Sequence, residues 1–140
     1  MAMKKDKHIL IIDDEYFIRI AYQMILTDAG YNSTIVEDGE EAFEKILEFE
    51  SKNIDIDLIL TDINMPKING FEFIKKLKEF NSKIPVILMS SYRYDEIEVL
   101  LGSKFSSKNN INNYAFIEKP STSESLICCI DKQLNHLSLN

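Results

Sequence analysis

His8-Ile9-Leu10-Ile11-Ile12-Asp13-Asp14 is the stretch whose reading decides the architecture. Four consecutive apolar residues, Ile9 to Ile12, are stopped by two acids. The run is too short for a helix, and it does not alternate as a half-exposed strand would. It reads as a strand buried on both faces, the signature of a parallel sheet covered by helices on each side. The N-terminal segment Met1 to His8 is basic, and the apolar stretch after it, Ile9 to Ile12, is too short for a signal-peptide core.

The pattern recurs along the rest of the chain. Tyr16 to Ala29 carries Phe17, Ile20, Ala21, Met24 and Ile25 at helical spacing, and Gly30 follows as a C-terminal cap. Thr34-Ile35-Val36 is a short second strand, and Asp38-Gly39 turns into a helix over Glu40 to Phe49, with Ala42, Phe43, Ile46 and Leu47 inward. Asp57 to Thr61 is a third strand ended by Asp62, and the loop Asn64 to Gly70 leads to a helix over Phe71 to Phe80, with Phe71, Ile74 and Leu77 inward. Pro85 to Met89 is the fourth strand, since proline is tolerated as a first strand residue. A fourth helix is expected over Asp95 to about Phe105, and a solvated loop over Ser103 to Asn113. Tyr114 to Ile117 is the fifth strand, and Ser121 or Thr122 caps a last helix bearing Leu126, Ile127, Ile130 and Leu134. Strands alternating with helices give an α/β fold of five βα units. Phe43, Phe71 and Met24 are expected in its core, and His8 and His136 on its surface.

Composition narrows the function. At 140 residues the chain is expected to form a single domain spanning 1–140, with its core over about 7–137. A net charge of −7 argues against a nucleic-acid surface, which needs clustered cations. No apolar run approaches the length of a membrane span, and the expected setting is cytoplasmic. The two cysteines, Cys128 and Cys129, are adjacent, so they form no disulfide scaffold or zinc motif, and one of them is expected to pack inward.

The residues at the strand ends carry the chemistry. Strand one ends in Asp13-Asp14, strand three in Asp62 and strand four in Ser90, while Glu118-Lys119 comes directly after strand five. Open α/β sheets bind ligands at the carboxyl ends of their strands. Three carboxylates, a hydroxyl and an ammonium are therefore expected to meet at one edge. Repulsion among the carboxylates is best relieved by a hard divalent cation, and Mg²⁺ commonly takes one or two carboxylates plus a phosphate oxygen. Asp62 could then act as a nucleophile forming an aspartyl phosphate, with Lys119 and Ser90 binding the remaining phosphoryl oxygens. Taken singly, each residue is ordinary, because Asp is common after strands and Lys on surfaces. Their joint occurrence in order along one sheet edge is what carries weight.

The segments Ile11 to Glu15, Leu58 to Pro66, Asn69-Gly70, Pro85 to Ser90 and Glu118-Lys119-Pro120 resemble the receiver domain of two-component response regulators, over about Lys7 to Leu137. The resemblance implies a doubly wound (βα)5 parallel sheet, flavodoxin-like, of order 2-1-3-4-5. It implies that Asp62 is the phosphoacceptor and that Asp14 ligates Mg²⁺, with Asp13 its acidic neighbour and the Asn64 backbone carbonyl a further ligand. By the same resemblance, Ser90 is the switch hydroxyl, Lys119 the phosphoryl contact, and Phe116 the aromatic that turns inward on activation. The implied partners are a histidine kinase or histidine phosphotransfer domain, which donates from phosphohistidine, and an output protein or domain. In the family the face formed by the fourth and fifth helices and the fifth strand carries output and homodimer contacts. The implied role is a switch, not an enzyme, that catalyses only its own phosphorylation and dephosphorylation.

Four features depart from that pattern. They are Ser91 after the switch serine, Asn112-Asn113 before the fifth strand, a longer Ser91 to Phe116 segment, and Ser121 where an aromatic often follows Lys-Pro. Tyr92 is expected near the path of attacking water, shielding an acyl phosphate. Two other readings fit the residues less well. A haloacid-dehalogenase-type phosphatase would need Asp-x-Asp after the first strand, where this chain has adjacent aspartates. A pseudo-receiver that takes no phosphate would have lost Asp62, Asp14 or Lys119, and all three are present.

Overall fold

The computed structural model describes residues 6–63, 70–80, 82–90, 114–119 and 122–138. Five strands, β1 (His8–Ile12), β2 (Asn32–Val36), β3 (Leu58–Asp62), β4 (Val86–Ser90) and β5 (Tyr114–Glu118), form one sheet of order β2-β1-β3-β4-β5. Every neighbouring pair is parallel. Among the described residues the helices are α1 (Tyr16–Asp28), α2 (Gly39–Ser51), α3 (Gly70–Glu79) and a C-terminal helix (Ser123–Ser138). Asn64, the fourth helix expected over Asp95 to Phe105, Ser91, Tyr92, Asn112-Asn113, Pro120 and Ser121 all lie outside the described residues, as do the side chains of Phe71 and His136.

The strands form where apolar side chains can be buried on both sides. Leu10, Ile12, Ile59, Val86 and Leu88 pack on one face with Ala42 of α2 and Phe73, Ile74 and Leu77 of α3. Ile9, Ile11, Leu58, Leu60, Ile87 and Met89 pack on the other with Leu26 of α1 and Leu126 and Ile130 of the C-terminal helix. Alternate residues of one strand thus serve two separate cores, which is why the runs are continuous rather than alternating.

The helix ends follow from local chemistry. Gly30, at φ 93, follows the C-cap Ala29 of α1, and Gly30 N–H and Tyr31 N–H donate to the Thr27 and Leu26 carbonyls at 3.0 and 2.9 Å. This is a Schellman closure, whose left-handed residue favours glycine. Asn53, at φ 58, does the same for α2, with Ile54 N–H donating to the Phe49 carbonyl at 2.9 Å. Asp38 caps α2 by accepting from Glu41 N–H at 2.9 Å. Thr122 takes the capping role of the last helix, its Oγ1 accepting from Ser125 N–H at 3.0 Å.

Several expected core positions are corrected. Met24 is 66% exposed and Phe17 83% exposed, while Tyr22, Ile25 and Leu26 turn to the sheet. On α2, Leu47 is exposed while Phe43 and Ile46 pack inward. On α3, Phe73 is wholly buried, its ring 5.0 Å from that of Phe43. Cys129 packs against the core and Cys128 is exposed, so one cysteine does point inward.

His8 is a half-buried structural residue, not a surface one. Its Nε2 shares a hydrogen bond with Thr34 Oγ1 at 2.7 Å, its ring meets Phe49 edge-on at 5.2 Å, and its backbone N–H donates to Asp57 at 2.8 Å. Burial pushes the imidazole pKa below its ordinary 6.5, and the Asp57 charge offsets only part of this. The fold therefore favours neutral His8, and the unfolded chain takes the proton more readily. His8 contributes its full stability above pH 6.5, and that contribution is lost as pH falls through the lowered folded-state value. In urea unfolding, His8→Gln is expected to lose less stability than wild type between about pH 7.5 and about pH 5. Equal losses in the two proteins would refute this assignment.

Candidate functional site

The order β2-β1-β3 places the reversal of strand order between β1 and β3. Helices α1 and α3, which follow β1 and β3, pack on opposite faces of the sheet, opening a crevice at the carboxyl ends of the two strands. Asp13 directly follows β1, and Asp62 is the last residue of β3. Backbone hydrogen bonds extend the ladder past the strand ends and hold this edge. Asp13 N–H donates to the Val36 carbonyl at 3.2 Å, Ile63 N–H to Met89 at 3.0 Å, and Lys119 N–H to Ser90 at 2.6 Å.

Asp13, Asp14 and Asp62 each bring a carboxylate oxygen to within 4.8 Å of the others. They differ in access. Asp13 is buried, Asp14 is exposed, and Asp62 lies between, with 14% of its side chain exposed. The Lys119 ammonium joins two of them, at 2.7 Å from Asp62 Oδ2 and 3.2 Å from Asp13 Oδ2. Residues 13, 62 and 119, far apart in sequence, thus meet at one point. The backbone N–H of Glu15 donates to Asp13 Oδ1 at 2.9 Å, so both oxygens of the buried carboxylate are engaged.

The electrostatics follow from this packing. Burial pushes the Asp13 carboxyl above its ordinary range, opposed by the Glu15 N–H and by the Lys119 charge and hydrogen bond, while Asp62 adds to the rise. Burial works to lower the Lys119 pKa, but the hydrogen bond and charge of Asp62, and then the charge of Asp13, outweigh it and the value is raised. Lys119 is therefore a held cation. Three carboxylates against one ammonium leave an excess of negative charge, and the donor set is all oxygen. That fits a hard divalent cation such as Mg²⁺.

The other candidate residues lie around this centre. Ser90 is fully buried at the end of β4, and its carbonyl holds the Lys119 backbone. Phe116 lies apart from the carboxylates. It sits opposite Leu88 in the β4–β5 register and packs half-buried against the core on the α2 and α3 side. Two neighbours of the site are not among the candidates read from sequence. The Tyr22 phenol is half-buried within the field of the site, and burial raises its pKa, which the Lys119 charge opposes and the Asp13 charge assists. Arg19 donates to the Asp13 backbone carbonyl at 2.7 Å. It is the only Lys or Arg between Lys7 and Lys45, a signal present in the sequence itself.

Comparison with known proteins identifies the family. The family model described as the response regulator receiver domain matches residues 9–131. The chain is 28% identical over 135 residues to the probable transcriptional regulator ycf29 of Porphyra purpurea, covering 95% of this chain and 59% of that protein. Among solved structures it is similar to a response regulator receiver protein from Sinorhizobium medicae, with TM-score 0.72, 26% identity, and coverage of 94% and 96% of the two chains. It is also similar to the chemotaxis response regulator CheY4 of Vibrio cholerae, with TM-score 0.73, 25% identity, and coverage of 91% and 98%. The chain spans less than two thirds of the length of these curated relatives, down to 18% of the transcriptional regulatory protein ZraR of Klebsiella oxytoca. No helix among the described residues is long and apolar enough to cross a membrane.

Proposed function

We propose, because the chain belongs to the response regulator receiver domain family, that it is a phosphorylation switch whose acceptor is Asp62. Receiver domains of this family act in phosphorelay signalling, and residues 7–137 are read as one such unit, working in the cytoplasm. The observation that carries the reading is the Lys119 ammonium at 2.7 Å from the Asp62 carboxylate, beside Asp13 and Asp14. A carboxylate held by a cation beside two more carboxylates suits a group that must receive a phosphoryl dianion.

In the proposed transfer, an Asp62 carboxylate oxygen attacks the phosphorus of a phosphohistidine on a histidine kinase or phosphotransfer domain. The N–P bond breaks, the histidine keeps that electron pair, and an acyl phosphate forms on Asp62. Lys119 already bonds Asp62 Oδ2 and is placed to pair with a phosphoryl oxygen. Asp13, Asp14 and Asp62 would hold Mg²⁺, with the Asn64 carbonyl as a further proposed ligand outside the described residues. When bound, the cation offsets charge on the phosphoryl oxygens. Buried Ser90 shares its strand edge with Lys119, and Phe116 on β5 packs only half-buried against the core. A new dianion at Asp62 would bias these two toward a second arrangement, read out by an output partner or a second copy at the β5 and C-terminal helix face.

The test is intact-mass measurement after incubation with acetyl phosphate. With Mg²⁺ the protein is expected to gain the mass of one phosphoryl group, and with EDTA in place of Mg²⁺ to gain none. A wild-type protein that gains no mass in Mg²⁺ would overturn the reading.

A further inference from the structure

Asp13 leaves β1 with its N–H still in the sheet ladder, while its carbonyl accepts no backbone hydrogen bond from the described residues. The residue is 1% exposed, so that carbonyl needs a partner from the protein. Arg19, on the first turn of α1, supplies it through Nη1–H at 2.7 Å. Its guanidinium also lies over the Tyr16 ring, with Cζ 5.7 Å from the centroid, and Tyr16 in turn meets Phe17 edge-on at 5.6 Å. Although carboxylates crowd the site, Arg19 forms no ion pair with a described acidic side chain, and its cation is spent on a backbone oxygen. The same turn is tied from inside by Glu15 N–H on Asp13 Oδ1.

We infer that Arg19 is a positioning residue for divalent-cation binding: by clamping the Asp13 carbonyl it fixes the Asp13-Asp14-Glu15 turn, and with it the presentation of both aspartates. Tyr16 is the shelf that keeps the guanidinium in place. This rests on the proposed Mg²⁺ site and adds to it a residue that touches neither cation nor phosphoryl group.

A clamp and a simple charge have effects of opposite sign. Arg19 places a positive charge close to a cation site, so as a charge alone it would weaken Mg²⁺ binding and its removal would tighten it. As a clamp, its removal lets the turn wander and weakens binding. Mg²⁺ titration calorimetry on the full chain, well below the melting temperature, distinguishes the two. Arg19→Met, which keeps an unbranched apolar stem, is expected to bind Mg²⁺ about tenfold more weakly than wild type, the scale of one charge-assisted hydrogen bond. Arg19→Gln, polar and too short to reach, is a second variant expected to match it should Arg19→Met fail to fold. Arg19→Lys keeps a donor and a charge and is expected to recover part of the loss. Wild-type or tighter binding by the folded Met or Gln variant overturns the inference and leaves the switch reading standing. An Arg19→Lys variant no better than Arg19→Gln also counts against it. A wild-type protein that binds no Mg²⁺ removes both.

Discussion

Asp62→Asn is expected to abolish phosphoryl uptake from acetyl phosphate while leaving the domain folded. The two side chains have nearly the same shape, so the end of β3 and its register with Met89 are kept. The amide lacks the nucleophilic carboxylate oxygen, so no acyl phosphate forms. Stability changes little because two effects oppose. Lys119 loses the charge of its closest partner, at 2.7 Å, though the amide oxygen can still accept, and it keeps Asp13 at 3.2 Å. The repulsion of Asp62 on Asp13 and Asp14 is relieved at the same time. The net change is expected to be within about 1 kcal/mol. Intact mass reads the first effect and urea unfolding the second. A variant that gains the same mass as wild type would place the acceptor elsewhere.

Lys119→Met should carry the largest cost in stability. Lys119 lies between the buried Asp13 and the half-buried Asp62. Methionine keeps most of the stem packing and removes the charge that both carboxylates share. Losing one partner of a fully buried ion pair costs roughly 3–5 kcal/mol. Here water reaches the site, since the Lys119 side chain is 23% exposed and Asp14 is open, so about 2 kcal/mol is expected. The deficit should shrink in Mg²⁺, because a cation bound only by the folded state restores the missing positive charge. Urea unfolding with and without Mg²⁺ measures both parts. A variant as stable as wild type in the absence of Mg²⁺ would show that Lys119 does not hold the carboxylates together.

The elements were legible where one physical demand dominated. Runs such as Ile9 to Ile12 and Leu58 to Leu60 must be buried on both faces, and each of their residues has no exposure. Turn chemistry was equally plain, with Gly30 closing α1 and Asp38 opening α2. Helix orientation was harder. Helix α1 is apolar at nearly every position from Tyr16 to Leu26, so periodicity alone leaves its rotation about its own axis undecided. Packing on Ile9, Ile11 and the C-terminal helix selects Tyr22, Ile25 and Leu26 and leaves Phe17 and Met24 outside. His8 is similar. Nothing local shows that Thr34, Asp57 and Phe49 will surround it, because all three arrive from other elements.

The chain's own order of residues determined that acids, a hydroxyl and an amine stand at strand ends, since a buried strand must stop where a charge begins. It also supplied carboxylates, whose oxygens can act as nucleophiles. Only the tertiary structure decided that Asp13 is the buried member and Asp14 the open one, and that Lys119 chooses Asp62 and Asp13. It alone decided that Arg19 holds a carbonyl rather than a carboxylate. The reason is that burial and distance between residues far apart in sequence depend on how the strands order and the helices rotate, which local patterns do not encode.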